Sequence, residues 1–395
     1  AAFTNQAVDT MLARAVAAGG VEAVRLGHAL AVAPALHPWR LAERARAAAL
    51  AAGEALPPNG QPDPRWLRDA LARAQVVAAT TATWSAERYD DAGEALAFDL
   101  AVVDEATQLT TPALLGALRL ARRFILAGDE RQLPPLVMSA EAGRAGLGRP
   151  LFTELLERWG ETASVALRRQ YRMSPAICGF PSETFYGGAL VTDGEARVAA
   201  LGVRLDAASP LAPVLDPARP LVLLDIPPLE GERPGKVSRA QALAARKLVR
   251  ELLTGGVAPG RIGVIAPWRA HVAAIRQQLQ ALRTEGEEGA ATVVVDTVDR
   301  FQGAEREVIL LALGGAPTAP EWGGRGAEFL ADPRRLNVAL TRAQRKLIVL
   351  GDRRELERIP TLRKLLAYCG ALYGGRGGVM RLAARPVDSS ADSPW

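Results

Sequence analysis

Residues suited to metal ligation or crosslinking are scarce in this chain. Its 395 residues include two cysteines, Cys178 and Cys369, and three histidines, His28, His37 and His271, all far apart. That spacing excludes zinc and iron-sulfur motifs and a disulfide framework, and it leaves Mg²⁺ as the metal to expect. Lysine is almost as rare, with four residues, at 236, 247, 346 and 364, among 48 basic ones. The net charge of +5 is therefore an arginine charge scattered over an alanine-rich background, which permits a polyanionic partner without requiring one. No run of 18 or more apolar residues occurs, and the first residues lack the basic, apolar, small-residue order of a secretory leader. A cytoplasmic protein without a membrane partner is the expectation.

Apolar residues, by contrast, are plentiful. At 49% hydrophobic content the chain can bury two ordinary cores. Strand-length apolar runs at 75–79, 100–103, 124–127, 221–224, 262–266, 292–295, 308–313 and 347–350 alternate with helical patterns such as 151–159, 240–254 and 271–283. This alternation predicts the α/β class with parallel sheets. We place a boundary near Thr162, giving domains 1–161 and 162–373 and a disordered tail at 374–395. Residues 1–11 (AAFTNQAVDTM) carry no start signal of their own, with Thr4 or Asn5 a plausible helix cap, so the chain reads as opening inside a domain.

The stretch 98–108, FDLAVVDEATQ, organises the rest. A buried strand there delivers Asp104 and Glu105 to the carboxyl end of a parallel sheet, where open α/β folds bind ligands. One carboxylate can hold hydrated Mg²⁺ while its neighbour polarises an attacking water, although the same pattern also ends ordinary strands in a turn. About twenty residues later a second run ends in GDERQLPP, 128–135, and a neighbouring strand would bring Gln132 to the same phosphate. The bland reading, a Gly-Asp turn stiffened by prolines, accounts for Gly128 but leaves Gln132 without a role. Hydroxyls at the end of 75–84, Thr80 first, suit either a sugar-phosphate backbone or the cap of the next turn.

Three polar clusters mark the second half. In 167–175, LRRQYRMSP, arginines surround a tyrosine, which fits a solvated turn or a site where Arg172 meets phosphate and Tyr171 stacks on a base. The others are 296–305, DTVDRFQGAE, and 335–343, RLNVALTRA, where a helix would present Arg335, Asn337 and Arg342 near one end. An arginine so placed can neutralise charge growing on a transferring phosphoryl group.

Taken in order, VVDEATQ, GDERQLPPLV, LRRQYRM, VDTVDRFQGAE and RRLNVALTRA resemble motifs II to VI of superfamily one helicases. AAFTNQAVD and VVAATTATW are similar to that family's motifs Ia and Ic. The likeness is closest to the branch holding the replication nuclease-helicase and the nonsense-mediated-decay helicase, and it runs from residue 3 to about 370. It implies two tandem RecA-like domains with parallel sheets, the first incomplete, acting with ATP and Mg²⁺. The implied partner is single-stranded DNA or RNA, travelled 5′ to 3′ by a monomer, with a nuclease or other domain upstream. By the same resemblance Asp104 binds Mg²⁺, Glu105 activates water, Gln132 senses the γ-phosphate, and Arg172 and Arg342 are arginine fingers. Tyr171 then lies against the base, Gly303 and Glu305 line the phosphate and ribose, and Thr4, Asn5, Thr80 and Thr297 contact the strand.

The departure from the family is the P-loop, G-x-x-x-x-G-K-[ST], which should precede motif Ia, yet the first lysine is Lys236. The stretch 231–237, GERPGKV, has its glycines one residue too close and Val237 in place of the hydroxyl. We therefore expect a fragment that is inactive alone, from a nucleotide-hydrolysing parent. The alternatives are a non-hydrolysing scaffold, which predicts erosion at Glu105, Gln132, Arg172 and Arg342, and a signalling ATPase, which needs no strand-facing hydroxyls. Smaller departures are Trp268 and His271, where the family often has Tyr and Gln.

Overall fold

A computed structural model describes residues 1–86, 97–233, 235–315, 330–375 and 377–382. It divides into two compact units, Ala1–Val165 and Ala166–Trp395. In the first, β1 (Ala23–Arg25) pairs in parallel with β2 (Val76–Ala78), and β3 (Phe98–Val103) pairs in parallel with β4 (Ala121–Leu126). Ala2 joins these pairs by parallel bridges to both Thr80 and Asp104. Thr81 N–H donates to the Ala2 carbonyl at 3.0 Å, and Asp104 N–H donates to the Ala1 carbonyl at 2.9 Å. The resulting order, β1, β2, Ala2, β3, β4, turns every strand's carboxyl end to one side.

Helix formation at Asn5–Ala17 follows from the Thr4 cap, whose Oγ1 accepts from Ala7 N–H at 3.2 Å. The helix buries Val8 and Leu12 against Ala23, Val32 and Leu36. A second small core gathers Val24, Trp84, Val103, Leu109 and Leu114, with Trp84 meeting Phe98 edge to face at 5.8 Å. Cover is incomplete, for Leu100, Val102, Phe124 and Ile125 are 43 to 54% exposed. Among the described residues β3 is the only strand beside β4.

Unit 2 holds a six-stranded, all-parallel sheet in the order β12, β7, β11, β10, β8, β9. The strands are β7 (Leu221–Asp225), β8 (Ile262–Ala266), β9 (Val294–Thr297), β10 (Arg306–Ala312), β11 (Ala343–Gly351) and β12 (Val379–Arg381). The central strands are buried apolar runs, as expected of a parallel sheet covered on both faces. Helices Arg239–Thr254 and Arg269–Thr284 supply part of that cover through Leu248, Leu252, Ile275 and Leu279. A short parallel pair, β5 (Arg169–Gln170) and β6 (Val191–Thr192), stands apart. β12 falls inside the segment expected to be a tail, where its backbone pairs with β7, while 383–395 lie outside the described residues. None of the described helices is long and apolar enough to cross a membrane.

A lysine is fully buried within unit 2. Lys346 on β11 is 0% exposed, and its Nζ donates to the carbonyls of Asp216 at 2.9 Å and Arg219 at 2.6 Å. Burial pushes its pKa down to about 7 from 10.5, against the upward pull of Asp216. Between those values the unfolded chain holds a proton that the folded chain has released, so stability rises with pH across that window and the cost is full below it. Thermal unfolding of the protein and of Lys346→Met at pH 6, 7, 8 and 9 should therefore show the wild type gaining on the variant above pH 7. A gap that does not change with pH would refute this.

The two units also differ in resistance to opening. Unit 1 has two-stranded pairs joined through Ala2 and exposed apolar strand residues, whereas unit 2 has a continuous covered sheet. Limited proteolysis should degrade the first unit first and leave a resistant piece beginning near 162–166. Equal protection of the halves would contradict this order.

Candidate functional site

In unit 1 the polar residues gather where the strands end. Asp104 follows β3, and its Oδ1 accepts the Glu105 N–H at 2.9 Å, while no described group donates to Oδ2. Glu105 is held in the left-handed region, at φ 55° and ψ 36°, a conformation unfavourable for a side chain of its size. Its Oε2 accepts from Gln108 Nε2 at 2.7 Å. The end of β4 lies alongside, because Ala106 N–H donates to the Ala127 carbonyl at 2.9 Å. Gly128 then passes so close to Thr107 that an added Cβ would sit 3.0 Å from the Thr107 methyl. Beyond it, Gln132 Nε2 donates to Asp129 Oδ2 at 2.9 Å. The structure thus brings Asp104, Glu105 and the Asp129–Gln132 turn to one end of adjacent strands.

The hydroxyls on the same side are already engaged. The Thr4 oxygen caps the first helix, which leaves its O–H proton to donate. Thr80 is 9% exposed, and its Oγ1 accepts from Thr83 N–H at 3.3 Å and shares a hydrogen bond with Thr83 Oγ1 at 3.0 Å. Asn5 is half-buried, and its Oδ1 accepts from Arg25 Nη2 at 2.8 Å. Arg25 was not among the candidates, because an arginine in a short apolar strand points to no partner by itself.

In unit 2 a second group lies where β10 and β11 begin. Arg172 Nε is ion-paired with Glu305, and its Nη1 donates to the Thr341 carbonyl at 3.2 Å. The other Glu305 oxygen accepts from Gln344 Nε2 at 2.8 Å. Arg342 is 3% exposed, with Nε donating to the Val338 carbonyl at 3.0 Å and Nη2 to Thr341 Oγ1 at 3.0 Å. Arg342 lies beyond the helix Pro333–Leu340, in the turn into β11, and its carbonyl accepts from Arg306 N–H at 3.0 Å. Tyr171 is 66% exposed and lies across Gly194, where an added Cβ would sit 3.0 Å from the ring. Gly303 takes a φ of +78°, which glycine tolerates. Thr297 lies at the carboxyl end of β9, an edge strand, whereas this group lies at the amino ends of β10 and β11, so Thr297 does not join it. The buried His271 ring has no hydrogen-bond partner among the described residues, and burial pushes its pKa down to about 4, keeping it neutral.

Profiles for two families, each described as an AAA domain, match residues 147–354 and 54–140. The DNA replication ATP-dependent helicase/nuclease DNA2 of Xenopus laevis is 37% identical over 288 residues, 68% of this chain and 26% of that protein. Its counterpart JHS1 of Arabidopsis thaliana is 31% identical over 374 residues, covering 93% of this chain and 26% of the relative. The Arabidopsis thaliana regulator of nonsense transcripts 1 homolog is 34% identical over 275 residues, covering 69% and 21%. The chain belongs to the AAA-domain family of superfamily one helicases, in the branch of the replication helicase/nucleases and the regulators of nonsense transcripts. It spans about a quarter of the length of these relatives.

The left-handed backbone at Glu105 gives a prediction independent of activity. Glycine removes the steric cost of that conformation and a β-branched residue increases it, so Glu105→Gly should stabilise unit 1 by up to ~1 kcal/mol and Glu105→Val should destabilise it by about 1 kcal/mol or more. Urea unfolding midpoints measure both. A destabilised glycine variant would mean that the bond to Gln108 outweighs the strain.

Proposed function

We propose that the chain is the motor portion of an ATP-dependent helicase or translocase that moves 5′ to 3′ on single-stranded DNA or RNA. The observation that carries this reading is the convergence of Asp104, Glu105 and the Asp129–Gln132 turn at the carboxyl ends of β3 and β4. Asp104 Oδ2, to which no described group donates a hydrogen bond, suits Mg²⁺, an ion held by one or two carboxylates together with waters and phosphates. When bound, the ion would screen phosphate charge and polarise the transferring group.

Glu105 is assigned to orienting and deprotonating the attacking water, and Gln132 to a γ-phosphate oxygen. Arg172 and Arg342 are assigned to the charge that develops on the phosphoryl group, the first after exchanging Glu305 for an anion. Tyr171 offers a ring to the base, with Gly303 and Glu305 beside phosphate and ribose. Thr4, Asn5, Thr80 and Thr297 are assigned to the strand. Contacts of this kind to the sugar-phosphate backbone carry no sequence information.

Fluorescence anisotropy with labelled oligo-dT should show the 395-residue chain binding with an affinity that falls steeply with salt and changes little for mixed-sequence DNA. The same preparation should not turn over ATP, because its sequence supplies no glycine-rich cradle for the β- and γ-phosphates. A sequence preference on the order of several hundredfold, within the range of specific readers, would overturn the strand reading. Turnover that survives purification and disappears in Glu105→Gln would overturn the inactivity of this chain.

A further inference from the structure

Arg25, at the end of β1, is the largest fully buried side chain among the described residues. Its Nε donates to Asp9 Oδ1 at 2.7 Å, its Nη1 to the Leu26 carbonyl, and its Nη2 to Asn5 Oδ1 at 2.8 Å. Asp9 is 6% exposed, and its second oxygen accepts from Ala33 N–H at 2.8 Å. The network ties β1 to the first helix and to the turn at Ala33, with the buried cation matched by a buried anion.

A guanidinium has donors and no acceptor, whereas a carboxamide has one end of each kind. A partner that only donates therefore fixes which way round the Asn5 amide sits, with Oδ1 toward Arg25 and the NH₂ away from it. None of the described residues accepts a hydrogen bond from Asn5 Nδ2. Asn5 opens the first helix immediately after Thr4, two residues beyond Phe3 of the segment that bridges Thr80 and Asp104.

We infer that Arg25 is a positioning residue for strand binding, turning the Asn5 carboxamide so that it offers an N–H donor to a phosphodiester oxygen. This rests on the reading of Asn5 as a strand contact. It also works against another use of the same side chain. An unrestrained asparagine reads adenine through donor and acceptor together. With Oδ1 turned toward Arg25 and one of its two lone pairs engaged, Asn5 presents the donor outward, which suits a phosphate that every nucleotide carries.

The test is a double-mutant cycle on oligo-dT binding by the 395-residue chain, with circular dichroism and thermal midpoints as controls on folding. Asn5→Ala should weaken binding ~10-fold, the value of one hydrogen bond to a charged acceptor. Asn5→Asp keeps an oxygen for Arg25 and removes the donor, so it should bind at least as weakly while its thermal midpoint is unchanged or higher. Arg25→Lys keeps a charge opposite Asp9 but cannot also reach Asn5. It should lose a similar factor alone and add nothing in the Asn5→Ala background, a pattern that general destabilisation would not give.

If the wild type does not bind the oligonucleotide, or Asn5→Ala binds as wild type, the strand reading of Asn5 fails and this inference fails with it. If Asn5→Ala is weakened but Arg25→Lys binds normally or its effect simply adds, the inference alone is overturned. Normal binding by Asn5→Asp overturns it too, and that variant decides the matter if Arg25→Lys does not fold.

Discussion

Unit 1 hangs on the peptide groups of its first two residues. β2 and β3 are not neighbours, and an interior gap between parallel strands would leave two rows of backbone donors and acceptors without partners. Ala2, fully buried, bridges that gap at one point just past the strand ends, beside Thr80 and Asp104, and the Ala1 nitrogen donates to the Val102 carbonyl at 2.6 Å. Through this seam the β1–β2 pair, which carries Arg25 and leads to Thr80, shares an end with the β3–β4 pair, which leads to Asp104 and the Gln132 turn. A shift at Ala2 would separate the two sets of polar residues before it touched any of them.

Much of the fold was legible in the sequence because a parallel sheet covered on both faces needs continuous apolar runs, and the residues of β8, β10 and β11 are such runs. The short edges were not legible. β1 is three residues ending in a charge and β12 three residues ending in another, so neither presents a run, and each is a strand only because a neighbour accepts its backbone. The same limit applies to the polar positions. Asp104, Glu105 and Gln132 could be placed from the ends of apolar runs. For Thr4 and Thr80 the sequence offered a cap beside a strand contact, and the structure shows both oxygens capping, the outcome of a competition that short hydroxyl side chains always face. The part Arg25 plays was not legible for a further reason, since Asp9 and Asn5 are brought to it only by folding.

The two arginines near the start of β10 and β11 show how burial divides similar residues. Arg342 is enclosed and donates to the Val338 carbonyl and the Thr341 hydroxyl of its own turn and to the Ala304 carbonyl ahead of β10, which ties that turn to the start of the neighbouring strand. Arg172 is partly open and spends its charge on Glu305, a residue that Gln344 holds from the other side. Arg342 is held by neutral acceptors and Arg172 by one anion and one carbonyl, so Arg172 changes partner by giving up its ion pair, whereas Arg342 meets an anion only if its turn rearranges.

The pairing of Arg172 with Glu305 has a long-range electrostatic consequence. A lone guanidinium projects a monopole field, felt over a Debye length of about 8 Å at physiological salt. Joined to a carboxylate it becomes a compact dipole, whose potential decays faster with distance than that of a monopole. This end of the unit 2 sheet is therefore quieter toward distant anions than its arginine content suggests. Discrimination there falls to short range, where an incoming group must match the geometry that Glu305 already satisfies.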